Sequence, residues 1–340
     1  MKKSLALLLV AVLLLGGFQF LSEGGVSSDE SEEVDFLNLC VIVPSEFGDK
    51  SFNDSARAGA ENLVEDFDVK LSTVECKNEG YKQQLMTAAK DNDMIVAVGW
   101  EFSEIKQVAT EYPDTKFIWV DNVVDGIESC PNILCITYKQ NEGSFLVGYV
   151  AARLSQTNAV GVVGGEEESS VIKDFVKGFE QGARYANGGI KVYESYANGY
   201  EDPASGELCA KELHAQGADV IFQVAGNTGN GVFKAAKEEG FYAIGVDMDQ
   251  KLSAPEYDSV IACSMMKNVG ASIYDAVSEY IENDSWDGGR NRVLGMEDGY
   301  ISVAYGDENS LQLVDDDTKR AVAEIENDII SGKITVKSEM

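Results

Sequence analysis

Short runs of apolar residues alternate with longer segments of helical periodicity along most of the 340-residue chain. The short runs have the length of strands, and the longer segments have apolar residues on one helical face. Strands and helices that alternate in this way form a parallel sheet with helices on both faces. The predicted strands comprise residues 37–43, 69–75, 94–99 and 117–121 in a first series and 159–164, 191–195, 219–225, 242–247 and 260–264 in a second.

The predicted helices fall between these strands. They comprise residues 55–66, 81–90 and 103–111 in the first series and 170–185, 203–216 and 229–239 in the second. A further helix, 142–154, separates the two series and is predicted to connect them. Two successive doubly wound α/β series indicate two similar lobes, and the chain is long enough to give each lobe its own core.

The first residues have a different pattern. Two lysines after Met1 precede an unbroken apolar run over residues 5–15, which is the arrangement of an export signal. We therefore expect residues 1–20 to be a signal peptide or an uncleaved signal anchor, with a buried N-terminal helix as the alternative. Either signal predicts a membrane-associated protein exported to the cell surface or periplasm.

Residues 21–35 are acidic and rich in serine, and most of them read SEGGVSSDESEEVD. Such a composition buries too little apolar surface to fold by itself. The segment is predicted to be a linker. It either tethers the folded part close to a membrane partner or contributes only solubility.

The charge balance excludes one class of partner. Lys and Arg total 27 against 58 Asp and Glu, which gives a formal net charge of -31. Nucleic-acid phosphates and anionic lipid head groups are repelled by a surface of this sign. We therefore expect no nucleic-acid partner.

Catalytic and metal chemistry has few candidate residues. His214 is the only histidine, and it falls in a polar helical segment where a structural role is favoured. The glycine-rich stretch GNTGNG at 226–231 has neither dinucleotide-fingerprint nor Walker-loop spacing. We predict no catalytic residue, no cofactor and no metal site.

Six cysteines are an even number, which an exported chain can pair. Cys40 and Cys76 fall on candidate neighbouring strands, while the C-x4-C at 130–135 lacks the second pair that zinc requires. Disulfides and ordinary core packing both remain open.

The loop after the first predicted strand reads DKSFNDS at 49–55. Four further motifs follow in order: NEGSFLVGY at 141–149, GVVGG at 161–165, GADVIFQVAG at 217–226 and GVDMDQ at 245–250. Together they resemble the basic-membrane-protein or PnrA-like family of ABC transporter substrate-binding proteins. The resemblance covers about residues 39–305.

The resemblance implies an α/β fold of two doubly wound lobes, the type I periplasmic-binding-protein fold, with a hinge and a cleft between the lobes. It also implies that the chain crosses between the lobes three times. Lobe 1 is then expected to comprise residues 36–140 and about 267–292. Lobe 2 is expected to comprise residues 141–266 and about 293–340.

The resemblance further implies a purine nucleoside whose base lies between one aromatic side chain from each lobe. Phe52 lies in a polar loop, so stacking on a base is favoured over packing between lobes. Phe222 reads as a buried strand residue by pattern alone, and only the resemblance makes it the second aromatic. Trp100 either lines the cleft or covers the end of the sheet.

Polar candidates lie at the ends of predicted strands. The carboxylate of Asp247 is placed to accept from both vicinal hydroxyls of a ribose, although a capping turn with Asp249 is the alternative. Lys267, which the resemblance places in the cleft, is expected to donate to the same sugar rather than be a solvated helix-start lysine. Asp121 and Asn53 complete the set as hydrogen-bonding groups.

The chain departs from the family pattern at three places. A family Gly-Gly-Thr-Gly reads GNTG here, beginning at Gly226, where the backbone is expected to approach the sugar. The family loop after the first strand commonly carries an acidic residue, whereas this chain reads PSEFG at 44–48, which leaves base preference open. The family's lipidated Cys is missing from LGGF at 15–18, which leaves the anchoring chemistry open.

We therefore expect an extracytoplasmic solute-binding protein, monomeric and not an enzyme, that closes by hinge motion on a nucleoside. A purine nucleoside is favoured, with delivery to the permease subunits of an ABC transporter. One alternative is a ligand-binding sensor or regulatory protein of the same fold. The other is a nucleoside hydrolase.

Overall fold

The computed structural model describes residues 36–340, so the expected signal (1–20) and linker (21–35) lie outside the described residues. Within the described part, twelve strands form two six-stranded sheets. In chain order the strands are β1 (Leu37–Val43), β2 (Val69–Glu75), β3 (Met94–Val98), β4 (Lys116–Val120), β5 (Ile133–Tyr138), β6 (Ala159–Gly164), β7 (Lys191–Tyr196), β8 (Val220–Val224), β9 (Tyr242–Asp247), β10 (Ile261–Lys267), β11 (Arg290–Leu294) and β12 (Ile301–Ala304).

The helices lie between these strands and after the last one. They are α1 (Phe52–Asp66), α2 (Tyr81–Asp91), α3 (Ile105–Glu111), α4 (Gln140–Leu154), α5 (Ser170–Ala186), α6 (Pro203–Ala215), α7 (Gly229–Glu239), α8 (Gln250–Ser253), α9 (Val269–Asn283) and α10 (Asp316–Ile330). Every strand and helix predicted from the pattern is present, with bounds that differ by at most three residues.

Five longer elements were not predicted: β5, β11, β12, α9 and α10. Two of them, β11 and β12, are edge strands whose sequences RNRVL and ISVA are mostly half-exposed. Edge strands cover less of the core, so they carry a weaker apolar signal than central strands.

The two sheets have the same strand order. The first sheet runs β11-β5-β4-β3-β1-β2 with all strands parallel, and the second runs β12-β10-β9-β8-β6-β7. In the second sheet β12 alone is antiparallel to its neighbour β10. Two mostly parallel sheets with helices on both faces confirm the predicted fold class.

Each sheet buries both faces under helices. In the first sheet Leu39 and Val41 face helices α1 and α9, and Cys40 and Ile42 face α2 and α3. In the second sheet one face packs on α4 and α5, and the other packs on α6 and α7. We call the first sheet with α1–α3 and α9 the first lobe, and the second sheet with its remaining helices the second lobe.

The chain passes between the sheets at β5–α4, at β10–α9 and between β11 and β12. At the second passage α9 packs closely on α1. The two helices are so close that a Cβ on Gly59 would lie 2.1 Å from the carbonyl oxygen of Gly270. The backbone N–H of Gly270 also donates to Ser55 Oγ at 3.1 Å. A glycine is therefore needed where these helices touch.

Within residues 36–340 no helix has the length and apolar character needed to cross a membrane. All six cysteines are buried free thiols. Cys40 lies opposite Ser72 in the sheet, whereas Cys76 follows the end of β2, so these two thiols are not bonded to each other. His214 Nδ1 lies 2.7 Å from the carbonyl oxygen of Ala218, and its ring packs against Phe241, which is a structural role.

Candidate functional site

The carboxyl ends of strands from both sheets surround one cavity of about 590 Å³. Loops after β1–β4 line it from the first lobe, and residues that end or follow β6–β10 line it from the second. This is where open α/β sheets bind ligands, since the strand ends leave a crevice there.

Six of the seven residues singled out from the sequence line this cavity: Phe52, Asn53, Asp121, Gly226, Asp247 and Lys267. They come from both lobes and from segments more than 200 residues apart in the chain. Phe222 is the exception.

Phe222 is fully buried, and its ring stacks on Phe179 with centroids 5.5 Å apart. Its edge packs against Phe175 at 6.3 Å, and Phe175 lines the cavity. The side chain of Phe222 leaves β8 on the face covered by α5, and Phe222 is not among the residues that line the cavity. The expectation that Phe222 faces a ligand is therefore corrected: it supports Phe175 from behind.

A buried ion pair lies at one end of the cavity. Lys267 Nζ is 2.5 Å from Asp121 Oδ2 and 3.9 Å from Asp247 Oδ1. Lys267 is only 2% exposed, so this charge needs its acidic partners to remain buried. The ammonium also lies 4.6 Å from the Phe52 ring centre and 5.3 Å from that of Phe175, within cation–π range.

Asp121 and Asp247 occupy matching positions in the two lobes. Asp121 directly follows β4 and Asp247 ends β9, and these strands hold the same place in their sheets. Both residues have φ of 65°, in the left-handed region. Asp tolerates this region better than most residues, and the local turn aims both carboxylates at the cavity.

The carboxylate of Asp247 also receives a hydrogen bond from the other lobe. Ser51 Oγ donates to Asp247 Oδ2 at 2.5 Å. Burial raises the pKa of Asp247, while the charge of Lys267 and the Ser51 hydrogen bond act in the opposite direction. The group is thus an acceptor in a dry environment, with Lys267 on one side and Ser51 on the other.

Helix α1 begins at Phe52, so Phe52 and Asn53 lie in its first turn rather than in the predicted loop. The reason is Asp49, whose carboxylate accepts from the backbone N–H groups of Ser51, Asn53 and Asp54 at 2.9 to 3.1 Å. These are the N–H groups that a helix start leaves unpaired. Burial raises the pKa of Asp49 to about 7.

Asn53 holds the loop that precedes it. Its Nδ2 donates to Ser45 Oγ at 3.0 Å and to the carbonyl oxygen of Glu46 at 3.1 Å. The amide N–H groups are therefore used within the first lobe, although the residue lines the cavity.

The sequence analysis did not identify several aromatic and acidic residues of the cavity, among them Tyr81, Glu101, Glu166, Phe175 and Tyr200. Tyr200 lies against Gly165, where a Cβ would be 2.1 Å from the tyrosine ring. A sequence signal for Tyr200 did exist. It is an aromatic residue in the polar loop NGYEDP that follows a strand, which is the pattern that identified Phe52. Trp100, for which two roles were open, lines the cavity with 43% of its surface exposed.

No group of three or more His, Cys, Asp or Glu side chains within residues 36–340 is arranged to hold a metal ion. The cavity therefore offers aromatic faces, a buried Asp–Lys–Asp group and further carboxylates. Such groups can contact an organic molecule that has both a flat apolar part and hydroxyl or N–H donors.

Known proteins resemble this chain over nearly all of the described part. The model of the family described as ABC transporter substrate-binding protein PnrA-like matches residues 36–340. Basic membrane protein A of Borreliella burgdorferi is 32% identical over 335 residues, 97% of this chain and 95% of that protein. Basic membrane protein A of Borreliella afzelii is 34% identical over 287 residues, 83% of this chain and 86% of that protein.

Solved structures share the fold. A solute-binding protein of an ABC transporter system from Aeropyrum pernix K1 has a TM-score of 0.76 and 25% identity, covering 88% of this chain and 92% of its own. A protein described as a transcriptional activator of the comK gene from Bacillus halodurans has a TM-score of 0.72 at 22% identity, covering 88% of this chain and 99% of its own.

The family consists of binding proteins rather than enzymes, which sets the nucleoside-hydrolase alternative aside. Such a protein binds its ligand outside the cytoplasm and works with the permease subunits of a transporter. The motifs, the two matching sheets and the family model agree, and the chain belongs to the PnrA-like family of ABC transporter substrate-binding proteins.

Proposed function

We propose that this protein binds a nucleoside, and preferably a purine nucleoside, in the cavity between its lobes for uptake through an ABC permease. The observation that carries the proposal is the buried Asp121–Lys267–Asp247 group beside the aromatic ring of Phe52. A nucleoside combines the two features that these groups can recognise, a vicinal diol and a flat ring.

The charged group suits the ribose. Ionised Asp247 is an acceptor only, and it can accept from the two vicinal hydroxyls while Lys267 donates to one of their oxygens. Asp247 and Lys267 are both nearly inaccessible to water. Hydrogen bonds from the sugar therefore do not have to compete with strong hydration of these two groups.

The aromatic residues suit the base. Phe52 comes from the first lobe, and Phe175 and Tyr200 come from the second, so both lobes contribute aromatic side chains to the cavity that can contact a flat base. Base–aromatic stacking is worth roughly 1 to 3 kcal/mol per contact. In this proposal Phe175 and Tyr200 replace Phe222 as the aromatic residues of the second lobe.

The cavity suits an uncharged nucleoside better than a nucleotide. Among the described residues, seven carboxylates line it, and the only basic lining residue, Lys267, is already paired with Asp121. Side chains also cap three of the helices that begin beside it: Asp49 caps α1, Ser169 caps α5 and Asp202 caps α6. The carboxylates around the cavity would repel a phosphate group.

The lobes meet in a way that fits closure around a ligand. Ser51 of the first lobe donates to Asp247 of the second, and Lys50 Nζ pairs with Glu256 at 2.6 Å. Gln250 Nε2 donates to the carbonyl oxygen of Lys50 at 3.0 Å. We propose that these contacts form when the protein closes by rotation at the three chain crossings, with lobe bounds of 36–140 plus about 267–292 and 141–266 plus about 293–340. We propose further that the protein acts as an exported monomer held at the membrane by its N-terminal segment.

A thermal-shift screen of the purified protein tests the ligand class. Inosine, guanosine, adenosine, uridine, GMP, ribose, glucose and amino acids are compared at equal concentration. A ligand present at one hundred times its dissociation constant stabilises the folded state by about 2.7 kcal/mol. We expect nucleosides to raise the melting midpoint and GMP to leave it unchanged. A midpoint that rises with sugars or amino acids and with no nucleoside overturns the proposal.

A further inference from the structure

The seven carboxylates that line the cavity differ in what they contact. Five have partners within the protein: Asp49, Asp121, Glu201, Asp202 and Asp247. Their partners are backbone N–H groups, Lys267, or side-chain donors such as Ser51 and Asn227. The acceptor capacity of these five is at least partly used before any ligand binds.

The remaining two, Glu101 and Glu166, have no ion-pair or side-chain hydrogen-bond partner among residues 36–340, and Glu101 accepts only from its own backbone N–H. Both line the cavity and both are half-buried. Glu101 follows β3 of the first lobe and Glu166 follows β6 of the second, so the pair faces the cavity from opposite lobes.

The sheet order places Glu166 away from the proposed sugar end. Asp247 ends β9, and β8 lies between β9 and β6, which precedes Glu166. Neighbouring strands are roughly 4.8 Å apart, so the ends of β9 and β6 are separated by about 10 Å. A nucleoside whose ribose lies at Asp247 and Lys267 can therefore direct the far edge of its base toward Glu166. Glu101 faces the cavity from the first lobe, one strand along from Asp121.

We propose that Glu101 and Glu166 determine base specificity by accepting hydrogen bonds from the donor edge of the base. The ligand they select carries a ring N–H beside an exocyclic amino group, as guanine does. The inference rests on the proposed function, because it assumes a nucleoside in the cavity.

The chemistry explains the direction of selection. An ionised carboxylate has two acceptor oxygens and no donor, and it matches two adjacent N–H groups. Adenine presents one amino group beside a ring nitrogen that is itself an acceptor. When that nitrogen lies against a carboxylate, neither the nitrogen nor the carboxylate oxygen receives a hydrogen bond. A site built to hydrogen-bond a ligand N–H strongly rejects an analogue that lacks it.

The protonation of Glu101 gives an independent readout. Burial first, and then the charges of Glu166 and Asp121, raise the pKa of Glu101 to about 7. The other groups that face it are Tyr81, Tyr200 and Cys76, all with raised pKa values and therefore neutral near pH 7. N–H donors from a guanine edge stabilise the ionised form, so guanosine binding near pH 6.5 is expected to release a proton.

The experiment is titration calorimetry of the purified full chain with guanosine, 1-methylguanosine and adenosine. The variants are Glu101→Gln and Glu166→Gln, with Glu104→Gln and Glu167→Gln as matched controls, because Glu104 and Glu167 are exposed neighbours that do not line the cavity. Wild type is expected to bind guanosine at least about tenfold more tightly than the other two nucleosides. Glu101→Gln is expected to reduce that ratio about tenfold and to abolish proton release, and Glu166→Gln is expected to reduce the ratio less.

The outcomes separate the two claims. If wild type and both variants bind nucleosides with the same guanosine-to-adenosine ratio, the carboxylate pair does not read the base, while the nucleoside proposal stands. If wild type binds no nucleoside in the calorimeter or the thermal screen, both proposals fail. A ratio that changes equally in the Glu104→Gln and Glu167→Gln controls also overturns the inference, because net charge alone would then explain it.

Discussion

The two lobes have the same scaffold but place different side chains at matching positions. Each sheet has six strands in the same order, and an Asp with φ of 65° directly follows β4 and ends β9. The neighbouring strands differ, since β5 ends in Tyr138 and β10 ends in Lys267. Lys267 Nζ lies 5.4 Å from the Tyr138 ring centre and joins the two aspartates. Two similar lobes thus produce a single, asymmetric charged group where they meet.

The helix starts differ in the same way. In the first lobe the start of α1 carries Ser51 and Phe52 across to the second lobe and is capped by the buried carboxylate of Asp49. In the second lobe the matching helix α5 is capped by Ser169 and contributes Phe175 one turn further along. The first lobe therefore contributes Ser51 and Phe52 to contacts with the second lobe. The second lobe supplies Lys267, and also Phe175, which packs on Phe222.

The largest expected effect follows from removing the cation that joins the lobes. Lys267→Met leaves Asp121 and Asp247 buried without a counter-charge, and breaking a buried pair in this way costs about 3 to 5 kcal/mol of unfolding free energy. Urea denaturation at pH 7 measures it, and nucleoside binding is expected to be lost as well. Lys50→Met is the control, because the Lys50–Glu256 pair is exposed and contributes about 1 kcal/mol or less. Equal losses in the two variants would show that Lys267 is not an essential counter-charge.

The second prediction compares the aromatic residues of the two lobes. Phe175→Ala removes a ring that is 3% exposed and packed on Phe222, so a loss of roughly 3 kcal/mol or more in unfolding free energy is expected. Phe52→Ala is expected to lower nucleoside affinity by about 1 to 3 kcal/mol with a smaller loss of stability. Calorimetry and thermal melting of both variants decide the matter. Phe52→Ala that melts early and still binds with wild-type affinity would make Phe52 a packing residue.

The third prediction separates the two matching aspartates. Asp247→Asn is expected to weaken a ribonucleoside by roughly 1.5 to 3 kcal/mol and to have little effect on its 2′,3′-dideoxy analogue, which lacks the diol. Asp121→Asn is expected to weaken both ligands alike, because Asp121 is engaged with Lys267 at 2.5 Å. Asn tolerates the left-handed backbone at both positions. If Asp247→Asn keeps the wild-type preference for the ribonucleoside over the dideoxy analogue, Asp247 does not bind the sugar.

The smallest expected effect is on the pH dependence of the ligand-free protein. Burial raises the pKa of Glu101 from an ordinary 4.5 to about 7 in the folded state. Between about pH 4.5 and 7 the folded state therefore keeps a proton on Glu101 that the unfolded state has released. The contribution of Glu101 to the unfolding free energy falls as pH rises through that window. Glu101→Gln is expected to remove this slope. Urea denaturation of wild type and Glu101→Gln at pH 5, 6, 7 and 8 measures the slope. The difference between their unfolding free energies is expected to change up to about pH 7 and to stay constant above it.

Much of the fold follows from local pattern. The central strands of both sheets are nearly unbroken apolar runs because helices cover both of their faces, and such runs are visible in the sequence. The edge strands β11 and β12 and the helices α9 and α10 were missed. Their positions depend on which lobe the chain returns to after β10, and that is settled by contacts such as Gly59 with Gly270.

The sequence by itself determined the α/β order, the family, and six of the residues that line the cavity, because residues at the carboxyl ends of parallel strands must collect at one edge. Only the tertiary structure decided that Phe222 lies behind Phe175, since period-two alternation does not say which helix covers which face. It also decided that Glu101 and Glu166 have no side-chain partner among residues 36–340, because an unpaired carboxylate is recognised only once its neighbours are in place. Residues 65 positions apart in the chain come to face one cavity through the packing of two lobes, and no local pattern encodes that distance.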